Sequence, residues 1–172
     1  MNNSTFGKMA GISLIAGTVA FGLFWGRELV EVEPPWLLSL AFHGLSILLI
    51  SVGLILIQRD TATSPTLRTV GWIAVTVTIV GLLTILPLFL IGLACLGILW
   101  VISRSWVRGS VLTIGALIFL AAYLFGSHIG DEGARELSPA LRVVFASALV
   151  LIVGGLVAAG LQRASGRNDS TP

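Results

Sequence analysis

Apolar residues run uninterrupted through most of this chain, over 9–26, 36–57, 70–103, 109–126 and 140–162, with short polar intervals between them. A helix needs about 20 apolar residues to cross a hydrocarbon core of roughly 30 Å, with a workable range of about 17–25. Four of the runs have the length of a single crossing. The third would make one helix of about 51 Å, too long to cross once even when tilted. Pro87 stands at its middle, and proline removes a backbone donor and disfavours helix at the residue before it, here Leu86. The run therefore reads as two short helices, about 70–86 and 88–103, joined by a tight turn. One kinked span with a re-entrant extension is the alternative.

The expected fold is all-α: a polytopic transmembrane helix bundle of six short spans, about 9–26, 36–57, 70–86, 88–103, 109–126 and 140–162. One helical domain then occupies residues 1–163, followed by a polar, disordered cytoplasmic tail over 164–172. The Pro34-Pro35 pair blocks helix until Trp36, and Ser64-Pro65 marks a turn in the next connection. Trp25, Trp36, Trp72, Trp100 and Trp106 all fall near predicted span ends, where indoles favour the headgroup boundary.

Composition narrows the class. The 172 residues are 56% hydrophobic and 10% charged, with a mean hydropathy of +1.01. Soluble domains are roughly 25% charged, so lipid is the expected solvent for most of this surface. The net charge of +2 is spread singly beside apolar segments, which reads as a topology signal and not as a nucleic-acid surface.

Arginine and lysine placement chooses between six spans and five. With six, and both termini cytoplasmic, Lys8, Arg59, Arg68, Arg104, Arg108, Arg163 and Arg167 lie inside, and Arg27, Arg135 and Arg142 outside. That split of seven to three follows the positive-inside rule. A single crossing over 70–103 would flip every later segment and give five against five. The first span carries Lys8 and a weak cleavage pattern at Thr18-Val19-Ala20, but its apolar stretch continues through Trp25, so it is expected to remain as a span. The expected location is the cell (plasma) membrane.

Few residues offer chemistry. His43 is the strongly polar group well inside a span, roughly 10 Å below the outer interface. With Ser39, Ser46 and Gly53 it forms a small and polar stripe on the second helix, which should face other helices because lipid cannot hydrogen-bond to it. Two readings stay open: a proton relay or ligand contact in a cavity, or a neutral imidazole that glues helices together. Tyr123 falls at a comparable depth near the outer end of the fifth span, as a partner of His43 or as an interfacial anchor. Glu28, Glu31, Glu33, His128, Asp131, Glu132 and Glu136 gather in the outer loops, as a cation-concentrating cluster or as ordinary hydrated loop residues. Their spacing is not that of an EF-hand, and no metal site or cofactor is expected.

The single cysteine, Cys95, sits among apolar neighbours and reads as an inert core thiol. Thr76, Thr78 and Thr84 are expected to bond back to their own helix. Small residues recur four apart at Ser13/Gly17, Ala16/Ala20, Gly22/Gly26, Gly154/Ala158 and Gly155/Ala159, a spacing that lets helix backbones approach closely, within one chain or between copies in a homo-oligomer. No GxSxG, HExxH or paired intramembrane aspartates occur, so the expectation is no enzyme. A non-enzymatic membrane component (a subunit, assembly factor or scaffold) fits the pattern, and a small transporter or channel working as an oligomer through His43 is the alternative.

Overall fold

The computed structural model describes residues 3–30, 35–60, 64–103, 106–129 and 138–165. Among these the chain is helical with no strand, in six helices: α1 Asn3–Val30, α2 Trp36–Asp60, α3 Pro65–Leu83, α4 Leu86–Ile102, α5 Trp106–Ile129 and α6 Pro139–Ala164. The all-helical, six-helix expectation holds. Five of the helices are long and apolar enough to cross a membrane, and α4, apolar throughout, is the short one at 17 residues.

Helix starts follow local chemistry. Pro35 ends its own segment by offering its carbonyl to the amides of Leu38 (2.9 Å) and Ser39 (3.2 Å), so α2 begins at Trp36. Ser64 and Ser138 precede Pro65 and Pro139, the first residues of α3 and α6. Proline is favoured there because the missing amide would have no intrahelical partner. The Ser138 hydroxyl also accepts from the Leu141 amide at 3.3 Å.

The long apolar run does split, but not where the proline suggested. α3 ends at Leu83 and α4 starts at Leu86, with Thr84 and Ile85 between them. Ile85 is extended, at φ −139° and ψ 119°. Its amide closes α3 on the Gly81 carbonyl (3.0 Å), and its own carbonyl opens α4 by accepting from Leu88 (3.0 Å) and Phe89 (3.2 Å). Pro87 therefore lies inside the first turn of α4, where its lack of an N–H does no harm. The other helices run past the apolar stretches that announced them. Arg27, Gln58 and Arg59, Trp106 to Arg108, and Ala164 are all helical, because helix continues into polar sequence beyond the hydrocarbon-length core.

Each helix packs on its neighbours in the chain, and α6 returns to α1, so the six close a ring in chain order. Every seam is antiparallel. Gly17 lies against Ile50 and Gly53 against Leu14 between α1 and α2, and Gly81 against Phe89 and Gly92 against Thr78 between α3 and α4. Gly109 meets Val101 between α4 and α5, Gly155 meets Leu112 between α5 and α6, and Gly11 meets Ala164 between α1 and α6. In lipid no hydrophobic drive separates helix from solvent, so close backbone approach and dispersion supply the association. The α2–α3 seam is the thinnest; there Gln58 lies over Gly71 and donates to the Arg68 carbonyl at 3.1 Å.

Among the described residues the centre of the ring is filled. Leu14, Phe21, Ile50, Phe89, Leu90, Leu93, Leu112, Ile152 and Leu156 are fully buried within it. Toward the end of the bundle where α1 finishes, here the far end, aromatic rings fill the interior. Phe21 packs on Phe89 with centroids 5.2 Å apart, Trp25 on Phe119 at 5.9 Å, and Phe119 on Phe145 at 5.0 Å. Outward faces are apolar: Leu48, Ile73, Ile98, Val143 and Val150 are among the exposed large residues. Such a surface suits lipid and would be poorly solvated by water.

Two side-chain expectations change. Cys95 is exposed on the outer face of α4, not in the core. That helix is apolar on every side, so no periodicity in its sequence marks the inward face. Trp25 and Trp100 pack inward against the core, whereas Trp36 and Trp106, 74% and 70% exposed, stand at helix starts. The threonines behave as expected: Thr76, Thr78 and Thr84 donate to the carbonyls of Trp72, Ala74 and Val80 at 2.9, 2.7 and 2.7 Å.

Up–down alternation sorts the described basic residues between the two ends. Lys8, Arg59, Arg68, Arg108 and Arg163 lie at the near end, where α1 begins, and Arg27 and Arg142 at the far end.

Candidate functional site

The polar stripe of α2 faces α1. Because the two helices form a tight antiparallel hairpin, residues at equal distances from their connection meet. Gly53 abuts Leu14, Gly17 abuts Leu49 and Ile50, and the Ser13 hydroxyl donates to the Leu49 carbonyl at 2.8 Å. The same register brings His43 to Phe24 and Ser39 to Arg27.

Around His43 the packing is specific. Its imidazole stacks on the Phe24 ring, with centroids 4.5 Å apart and planes 29° apart. The Arg27 guanidinium carbon lies 4.5 Å from the same ring's centroid, a cation–π contact, and the guanidinium donates to the Ser39 hydroxyl. Arg27, Phe24, His43 and Ser39 thus form one connected cluster. Ser46 is fully buried, and its hydroxyl donates to the His43 carbonyl at 2.8 Å. It serves the helix backbone and does not point a free donor at a ligand.

An open groove of about 490 Å³ runs beside this cluster, lined by Phe24, Arg27, Trp36, Ser39, Leu40 and His43. It lies on the flank of the bundle, between the end of α1 and the start of α2, and does not enter the ring. Imidazole Nδ1 is buried with no hydrogen-bond partner.

Tyr123 lies on α5, three places from α2 around the ring, and is half-buried. The fold does not bring it beside His43. Glu31, Glu33, Asp131, Glu132 and Glu136 lie outside the described residues, as do the side chains of Glu28 and His128, whose backbones belong to α1 and α5. Among the described residues no three His, Cys, Asp or Glu side chains come together in a way that would hold a metal ion.

Arg27 and Phe24 are the members of this cluster that the sequence reading did not single out. Their signal was the hairpin itself, in whose register 27 falls beside 39 and 24 beside 43. No protein-family model matches the chain, and no curated protein or solved structure shows significant similarity to it.

Proposed function

We propose that this chain is a non-enzymatic component of the cell membrane, a subunit, assembly factor or scaffold. In this reading it crosses the bilayer six times, α4 included, with both termini in the cytoplasm. The observation that carries it is the filled centre of the ring. A conducting protein needs a polar path at mid-membrane, and here the fully buried Leu14, Ile50, Leu93, Leu112 and Ile152 lie near the middle of their helices. His43 sits on the flank, in contact with Phe24, where it joins α1 to α2.

Orientation follows from the charges. Lys8, Arg59, Arg68, Arg108 and Arg163 share one end with the start of α1 and the end of α6, and the positive-inside rule makes that end cytoplasmic. At 17 residues α4 would span about 26 Å, the short end of the workable range.

Transport by an oligomer, with His43 in the pathway, is the competing reading. Reconstitution into liposomes separates them. The expected result is no proton or ion flux above protein-free vesicles, and the same baseline for His43→Ala. A flux present in the natural chain and abolished by His43→Ala, with the variant still folded, would establish transport instead.

A further inference from the structure

We propose that the ring opens between α2 and α3, parting the α1–α2 hairpin from the α3–α4 hairpin and joining a cavity at the near end to the bilayer. In lipid, helices hold together by packing, so the seam with the least of it is the first to part. Five seams are closed by glycine against backbone: Gly17 on Ile50, Gly92 on Thr78, Gly109 on Val101, Gly115 on Ile152 and Gly11 on Gly160. The α2–α3 seam is the thinnest and is closed differently. At Gly71 the atoms nearest to where a Cβ would stand all belong to the Gln58 side chain, which fills the gap that backbone fills elsewhere. A flexible side chain can leave such a position with the loss of its hydrogen bond, here from Gln58 Nε2 to the Arg68 carbonyl at 3.1 Å.

Two further observations fall on the same seam. Ser51 stands seven residues before Gln58, two turns along the same face of α2. Its hydroxyl oxygen is buried with no hydrogen-bond partner, whereas Ser46, Thr78 and Thr113 donate to carbonyls of their own helices. A buried hydroxyl left unpaired weakens the closed arrangement. Beside Gln58 lies a cavity of about 30 Å³ between α2, α3 and α4, lined also by Leu67, Gly71, Trp100 and Ser103. Atoms around a void have no partners on that side, so the seam gains little dispersion energy there. The turn at Ile85 with Gly81 and Gly92 holds α3 to α4, and Gly17 with Gly53 holds α1 to α2, so each hairpin moves as a unit. Gln58 stands in the last turn of α2, next to Arg59, where headgroup water can receive it when the seam parts.

Double electron–electron resonance on the full chain in lipid nanodiscs tests the opening, with pairs of nitroxide labels at outward-facing positions of a Cys95→Ala background. Labels at Ile55 and Ile73 report the α2–α3 seam, those at Val19 and Leu48 the α1–α2 hairpin, and those at Ile73 and Ile98 the α3–α4 hairpin; all five positions are exposed, so labelling leaves the core intact. The Ile55–Ile73 pair is expected to show a second, longer distance beside that of the closed ring, and the two hairpin pairs a single distance each. Gln58→Ala, which removes the closing side chain, raises the share of the longer distance about three-fold, and Ser51→Ala, which removes the unpaired hydroxyl, lowers it. A single distance for Ile55–Ile73 in the natural chain overturns the opening. A second distance of equal share in either hairpin pair overturns its place at α2–α3, and an unchanged share in Gln58→Ala overturns Gln58 as the group that closes the seam.

Discussion

Replacing Gly81 with alanine is expected to destabilise the protein by about 3 kcal/mol, and replacing it with leucine to prevent assembly of the bundle. A Cβ at this position would land on the backbone of Leu88 and Phe89, at the point where α4 leaves the tight turn. Overpacking a core costs typically 1–3 kcal/mol when side chains can move aside. Backbone atoms in the first turn of a helix cannot, and Ile85 fixes that turn by hydrogen bonds into both helices. The damage would spread, because Phe89 carries the ring that packs on Phe21 across the interior. Equilibrium unfolding in mixed micelles measures the alanine variant, and a loss under about 0.5 kcal/mol would mean that α3 and α4 are not packed as described.

At Gly53 a substitution to leucine is expected to separate α1 from α2, and alanine there to cost about 2 kcal/mol. An added Cβ would sit 2.9 Å from Leu14 Cα, Cβ and N, closer than real contacts allow. This seam also sets the register that places Arg27 on Ser39 and Phe24 on His43. Gly44, on the outer face of the same helix, supplies the control. A Cβ there meets nothing within 4 Å, and Gly44→Ala should be neutral or slightly stabilising, as glycine is a poor helix former. Equal effects of Gly53→Ala and Gly44→Ala would contradict the seam.

The fold was legible wherever composition or a backbone rule acts locally. Hydrophobic runs of span length, the Pro34-Pro35 block before Trp36 and the excess length of 70–103 each carry their meaning in a few consecutive residues. The split of 70–103 was readable in existence but not in place. Proline tells that a helix begins or breaks nearby, and its tolerance within a first turn moved the break to Thr84 and Ile85.

Facing was harder. In lipid the outside of a helix is as apolar as its inside, so the rule that finds the core of a soluble protein has nothing to act on. Cys95 was misplaced for that reason. Polar and small positions escape the difficulty, since they avoid lipid: the Ser39, His43, Ser46 and Gly53 stripe did mark the side of α2 that meets α1. The partners across the seam, Phe24 and Arg27, needed the hairpin register as well as the stripe.

The central claim is that six helices alternate through a membrane. Single cysteines introduced on a Cys95→Ala background and probed with a membrane-impermeant thiol reagent test it most directly. Cysteines at Ser64, Ser103 and Ser165 should react from the cytoplasmic side, and those at Pro35, Thr84 and Ser138 from the opposite side. Reaction of the Ser64 and Ser103 positions from opposite sides would mean that residues 65–102 cross only once, and the alternating ring would be wrong.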